Sequence, residues 1–195
     1  MAAVREEGVS SFTMRAVAKR LGVRPAALYR VSGSREDLQF EALKAIANRE
    51  HLVPGQVRSW QSFLRWFVDA QWQMLDEDPE LAIVVNTRSD AFVAALPQLT
   101  LLMEELTRLG IPGGMETASF AVDFVGDTTF TTFMQMRGFR DSSEGRMQRE
   151  RVMQAMGANP DVFNIANLDE RGNLNAKVEF IIAGIEAGLF RAGRS

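Results

Sequence analysis

Between Thr13 and Val31 the sequence sets two short helical patterns on either side of Gly22-Val23. A bend of three or four residues containing glycine between two such helices makes a helix-turn-helix. Thr13 is suited to cap the first, Met14–Leu21, whose Met14, Val17, Ala18 and Leu21 share an apolar face. Pro25 suits the first position of the second, Pro25–Val31, where a missing N–H costs nothing. Gly33 ends that helix. Ser34 with Asp37 resembles a capping box that opens a further helix to about Asn48. In such a unit the second helix enters the major groove of DNA and the first crosses the backbone. Ala18 and Leu28 then face inward, while Pro25, Ala26, Ala27, Tyr29 and Arg30 face the groove. Small residues permit close approach, Arg30 can pair with a guanine edge, and alanine methyls can touch thymine. Thr13, Arg15, Tyr29 and Arg35 fall where phosphates are held, and Arg24 belongs to the same DNA-facing set.

The charge distribution agrees. Phe12–Arg35 contains Arg15, Lys19, Arg20, Arg24, Arg30 and Arg35 and no acidic residue, although the whole chain carries a net charge of −3. The remainder therefore holds 16 basic and 25 acidic residues. A basic block on an acidic body suits a nucleic-acid reader held by one end. A solvated helix face is the other account of the same charges.

The rest of the 195 residues reads as helix almost throughout, with no alternating β-branched runs, so the fold class is all-α. Ala2–Glu7 is a truncated first helix stopped by Gly8. Pro54-Gly55 marks a junction between a head over residues 1–50 and a larger domain over 56–195. Further helices are expected from Ser59 to about Leu75, from Asp78-Pro79 to about Asn86, and from Pro97 to Gly110. A long one follows over Met115–Arg137, a weak one over Arg146–Met156, and a last one over Ala176–Arg191 capped by Asn175. Gly138–Gly145 and Asn159–Asn175 read as polar connections. The chain has no cysteine and one histidine, which excludes disulfides, thiolate sites and multi-histidine metal sites; no metal and no cofactor are expected. No apolar run approaches membrane-spanning length, and the expected location is cytoplasmic.

The run from Gly8-Val9 through Phe12-Thr13-Met14-Arg15-Ala16-Val17-Ala18-Lys19-Arg20-Leu21-Gly22-Val23-Arg24-Pro25-Ala26-Ala27-Leu28-Tyr29-Arg30 resembles the DNA-binding domain of TetR-family regulators. Gly33-Ser34-Arg35-Glu36-Asp37-Leu38 is similar to the segment that closes that domain. Ser59–Arg65 and Phe180–Glu186 resemble the start of the pocket domain and the final dimerising helix of tetracycline-repressor-type members. Val31-Ser32 stands where the family carries His-Phe or His-Val, and the family's first helix begins ten or more residues earlier. Both departures predict a head with less core packing.

The resemblance implies a homodimeric, ligand-responsive regulator, a repressor of a palindromic operator, with a cavity for a small, fairly apolar ligand. Phe63, Phe67 and Gln71 share one helix face; Asn86, Thr87 and Arg88 follow from the next helix, where Thr87-Arg88 resembles a pocket loop of the tetracycline repressor. Phe92, Leu99, Leu102 and Met103 close one side, and Phe120, Asp123, Phe124, Asp127, Thr131 and Met134 come from the long helix. His51 falls near the pocket entry of the tetracycline repressor. An ordinary apolar core explains the same aromatic and methionine stripe. The helices over 115–137 and 176–191 carry small and apolar residues together, which implies dimerisation through a four-helix interface. A second reading stays open: a TetR-like protein without DNA binding that uses its cavity as a small-molecule binder or cofactor-independent enzyme. The one candidate pair for such chemistry is Asp123 and Asp127, four residues apart on an apolar helix.

Overall fold

The computed structural model describes residues 2–47, 57–140, 143–158 and 171–189. Among these the chain is all-α, with no strand. The elements are α1 (Ala2–Glu7), α2 (Met14–Arg20), α3 (Pro25–Ser32), α4 (Arg35–Ala47), α5 (Trp60–Glu77), α6 (Glu80–Thr87), α7 (Ala91–Arg108), α8 (Gly114–Arg140), α9 (Ser143–Gly157) and α10 (Leu174–Glu186). The chain divides into two compact units. One joins α1–α4 to Gln73–Glu105; the other takes in the described parts of Gln56–Trp72 and Leu106–Ser195. The unit that carries the helix-turn-helix thus extends well beyond residues 1–50.

In the first unit the start and stop signals act as their chemistry requires. Thr13 Oγ1 accepts the Ala16 N–H at 3.1 Å, satisfying one of the orphan donors that open α2. At the other end Val23 N–H reaches the Ala18 carbonyl at 3.0 Å and Gly22 N–H that of Lys19 at 3.2 Å. This paired closure needs a left-handed residue, and Gly22 supplies it at φ 67°. Pro25 opens α3 behind an extended Arg24. Ser34 and Asp37 form the reciprocal box: Ser34 N–H donates to Asp37 Oδ2 at 2.8 Å and Asp37 N–H to Ser34 Oγ at 3.0 Å. Val4, Val9, Phe12, Met14, Val17, Ala18, Leu28, Leu38, Ala42, Leu43 and Ile46 are buried together with Ala3. The short α1 therefore still furnishes core residues, and it packs on α2 and α4.

Several boundaries differ from the sequence expectation. Pro97 lies inside α7, which begins six residues earlier at Ala91. The helix mouth is set instead by Asp90, clamped by Arg88 at 2.7 and 2.6 Å, with Ala91 N–H on the Arg88 carbonyl at 3.2 Å. Pro97 is exposed, so water can reach the backbone carbonyl whose partner it lacks. The last helix stops at Glu186 rather than Arg191. Gly188 turns left-handed at φ 66°, and Leu189 N–H and Gly188 N–H close onto the Gly184 and Ile185 carbonyls, each at 3.0 Å. The polar stretch Gly138–Gly145 is helical up to Arg140 and again from Ser143. The expected connection over Asn159–Asn175 falls largely outside the described residues.

The second unit is built on α5, α8 and α10. Trp60, Phe63, Leu64, Phe67, Val68 and Trp72 of α5 are buried, as are Ala118, Ala121, Val122, Val125 and Phe133 of α8 and Leu174, Val178, Ile182 and Ile185 of α10. Trp72 meets Phe133 edge-on with ring centroids 5.2 Å apart. Arg65 makes a two-pronged pair with Glu179 at 2.6 and 2.7 Å, which holds the Glu179 carboxyl below its ordinary value. Arg171 pairs with Asp69 and lies over the Trp72 ring. No described helix is long and apolar enough to cross a membrane.

Candidate nucleic-acid interface

Helix α3 buries one residue, Leu28, and exposes most of the others. Pro25, Ala26, Tyr29 and Arg30 are exposed and Ala27 is half-buried, so the five expected groove residues occupy the open side of one helix. Ser32 donates its hydroxyl to the Leu28 carbonyl at 2.9 Å, satisfying itself locally where the family packs an aromatic or apolar side chain. Val31 is 88% exposed and adds nothing to the core.

The six cations of the basic block separate into two groups. Arg15, Lys19, Arg24 and Arg30 are exposed and make no ion pair among the described residues. Thr13 is exposed too; its hydroxyl oxygen accepts from Ala16, which leaves the hydroxyl proton to be donated. Arg20 instead pairs with Glu6 and with Glu7, the latter at 2.8 Å. Arg35 donates to the Phe12 carbonyl at 2.9 Å and the Ser10 carbonyl at 2.7 Å, and lies 4.9 Å from the Phe12 ring centroid. Charge counting could not tell these two from the open four. Arg35, expected on a phosphate, has its Nε and Nη2 donors directed into the head.

The loop ahead of α2 has a second set of partners that the sequence reading missed. Glu80, at the start of α6, accepts from Ser10 N–H and Ser10 Oγ, both at 2.8 Å, and from Ser11 Oγ at 3.0 Å. Burial disfavours its ionisation, yet the hydrogen bonds from Ser10 and Ser11 outweigh burial and hold the carboxyl below its ordinary value. Asp78, buried, takes a fork of two bonds from Arg5 at 2.9 and 2.7 Å. Gln39, also buried, donates to the Val9 carbonyl at 2.7 Å. Asp78-Pro79 reads in sequence only as a helix start, and nothing in its spacing points 73 residues back to Arg5.

The expected ligand residues fall in both units. In the first, Asn86 and Thr87 turn back onto their own helix, bonding the Ala82 and Ile83 carbonyls at 2.7 and 2.8 Å. Arg88 is held by Asp90, by the Glu36 carbonyl at 2.9 Å and by Gln39 Oε1 at 3.1 Å. Phe92 is exposed, Leu102 is buried, and Leu99 and Met103 are half-buried. In the second, Phe63, Phe67 and Gln71 are buried on one face of α5. Phe120 and Phe124 are half-buried and stacked, with centroids 6.0 Å apart. Asp123, Asp127, Thr131 and Met134 are exposed. Partial burial and the neighbouring Asp123 push the Asp127 carboxyl above its ordinary value. Gln71 Oε1 and Thr132 Oγ1 are buried without a hydrogen-bond partner. His51 lies outside the described residues.

Residues 1–42 match the family model of the bacterial regulatory proteins, tetR family. The match spans α1–α3 and reaches Ala42 in α4, covering the helix-turn-helix and the loop that precedes it. No curated protein and no solved structure matches the chain. Residues 1–42 thus form a DNA-binding domain of the TetR-family type.

Proposed function

We propose that the chain is a homodimeric, ligand-responsive repressor that reads a palindromic operator through Pro25–Arg30. One observation carries this reading: beside the open side of α3 the helix-turn-helix bears four exposed cations, Arg15 and Lys19 on α2 and Arg24 and Arg30 at the two ends of α3, that make no ion pair among the described residues. Groove-reading groups and phosphate-holding groups then lie on the same head. Release of DNA by a small, fairly apolar ligand is the regulatory half of the proposal. Its support is the aromatic face of α5, Phe63 and Phe67 with the unpartnered Gln71 carbonyl, and the stacked Phe120 and Phe124 of α8.

The dimer half rests on α10. Phe180 and Leu189 are each 78% exposed, and Ala176, Ala183 and Ala187 are exposed with them. An outward apolar helix side is costly in water and suits a second copy of the same helix. The test is a titration of the purified protein against its own upstream duplex and a scrambled duplex at several salt concentrations. Tighter binding to the upstream duplex, with log affinity falling steeply against log salt, is expected. Equal affinity for both duplexes by a folded protein refutes DNA reading at that site.

A further inference from the structure

The loop Gly8–Phe12 runs directly into the Thr13 cap of α2, so the groups that hold this loop also fix where the helix-turn-helix begins. Glu80 holds it directly, through the amide and hydroxyl of Ser10 and the hydroxyl of Ser11. The approach is close: a Cβ on Gly8, itself at φ 90°, would fall 2.6 Å from Glu80 Oε2. Gln39 holds it from α4, through the Val9 carbonyl at 2.7 Å. Which way the Gln39 amide points is set by Arg88, which donates to its oxygen at 3.1 Å and so leaves its nitrogen to face Val9. Arg88 is itself fixed by Asp90 and by the Glu36 carbonyl. A relay of named atoms therefore runs from Asp90 through Arg88 and Gln39 to the backbone ahead of α2, and a direct clasp from Glu80 meets it there.

We propose that Glu80 and Arg88 are positioning residues for DNA reading: from α6 and its C-terminal end they fix the Gly8–Phe12 loop and thereby the attitude of α2 and α3. The proposal rests on the reading that α3 meets the groove. Electrostatics separates it from a simple charge effect. Glu80 is anionic, so if it acted on DNA only through its charge, removing it would tighten binding. A positioning role demands the opposite sign.

The experiment uses the full chain carrying Glu80→Gln, Glu80→Ala or Arg88→Ala, and reads two quantities. Hydrogen exchange of the free protein is expected to accelerate about tenfold over residues 9–23, the scale of one lost charge-assisted hydrogen bond, with α8 and α10 unchanged. Affinity for the upstream duplex is expected to fall about tenfold relative to the scrambled one, at an unchanged salt slope. Unchanged exchange over residues 9–23 overturns the proposal. So does tighter binding of Glu80→Gln to both duplexes, or a slope reduced by about one, which marks a lost phosphate contact instead. Glu80→Gln keeps the side chain's shape and serves if Glu80→Ala does not fold. Should the unsubstituted protein bind both duplexes equally, DNA reading itself fails, and the exchange measurement still decides whether the loop is anchored from α6.

Discussion

Removing the Arg5 guanidinium with Arg5→Met tests how firmly α1 is tied to the start of α6. Asp78 is 8% exposed and receives two Arg5 N–H groups at 2.9 and 2.7 Å. Each such bond to a charged group contributes about 1.5–3 kcal/mol when fully sheltered. The Arg5 side chain is 35% exposed, so water screens the pair and replaces part of what is lost. Roughly halving the sum leaves about 2 kcal/mol for Arg5→Met. For a chain of this length that is about 4–8 °C in Tm if the chain unfolds as one. The effect belongs to the first unit, and the molecule offers a way to see that. All three tryptophans lie between Trp60 and Trp72, in the second unit, whereas far-ultraviolet circular dichroism reports every helix. Urea unfolding followed both ways is expected to show the dichroism midpoint falling while the fluorescence midpoint moves less. A double-mutant cycle with Asp78→Ala is expected to give a coupling of about 1–2 kcal/mol. Additive single effects, or a loss below about 0.5 kcal/mol, refute the argument that this fork holds α1 in place.

Four further outcomes are expected. Leu28→Ala, at the one buried position of α3, costs about 2–4 kcal/mol and abolishes DNA binding, while Val31→Ala stays within about 0.5 kcal/mol; thermal unfolding and a duplex titration read both. Arg15→Ala and Arg24→Ala each lower the salt slope by about one per head, Arg30→Ala weakens binding to the upstream duplex more than to the scrambled one, and Arg35→Ala leaves the slope and loosens the loop, as hydrogen exchange reports. Glu80 and Asp37 both ionise more readily folded than unfolded, so their stabilisation is complete above the unfolded carboxylate range and is lost as pH falls through the folded values; Glu80→Gln flattens this acid limb in a pH series of urea midpoints. Phe180→Asp puts a charge on the open side of α10 and is expected to leave a folded monomer by sedimentation equilibrium; an unaltered dimer rules that surface out.

Local signals were legible because each is written within a few residues. Thr13, Gly22, Pro25 and the Ser34–Asp37 box all act where their chemistry placed them, since caps and left-handed turns depend on neighbours two to five positions away. Pro97 misled for a long-range reason: an exposed proline is tolerated within a helix whose mouth another pair has already built. Arg20 and Arg35 show the limit of charge counting, because two glutamates on α1 and two loop carbonyls claim them only after the chain has folded. The Glu80 clasp spans some 70 residues and involves serine, a residue type with no periodicity to betray it.

The joining of the reading helices to Gln73–Glu105 in one unit bears on how such a head can be exchanged between regulators. A graft cut near residue 50 would carry away Arg5, Ser10 and Gln39 while leaving Asp78, Glu80 and Arg88 behind. The recipient would then have to offer equivalent carboxylates and an equivalent cation at its own sixth helix. A transplant that moves those three residues along with the head is the smallest exchange that preserves its attachments, so the unit of modularity here is discontinuous in sequence.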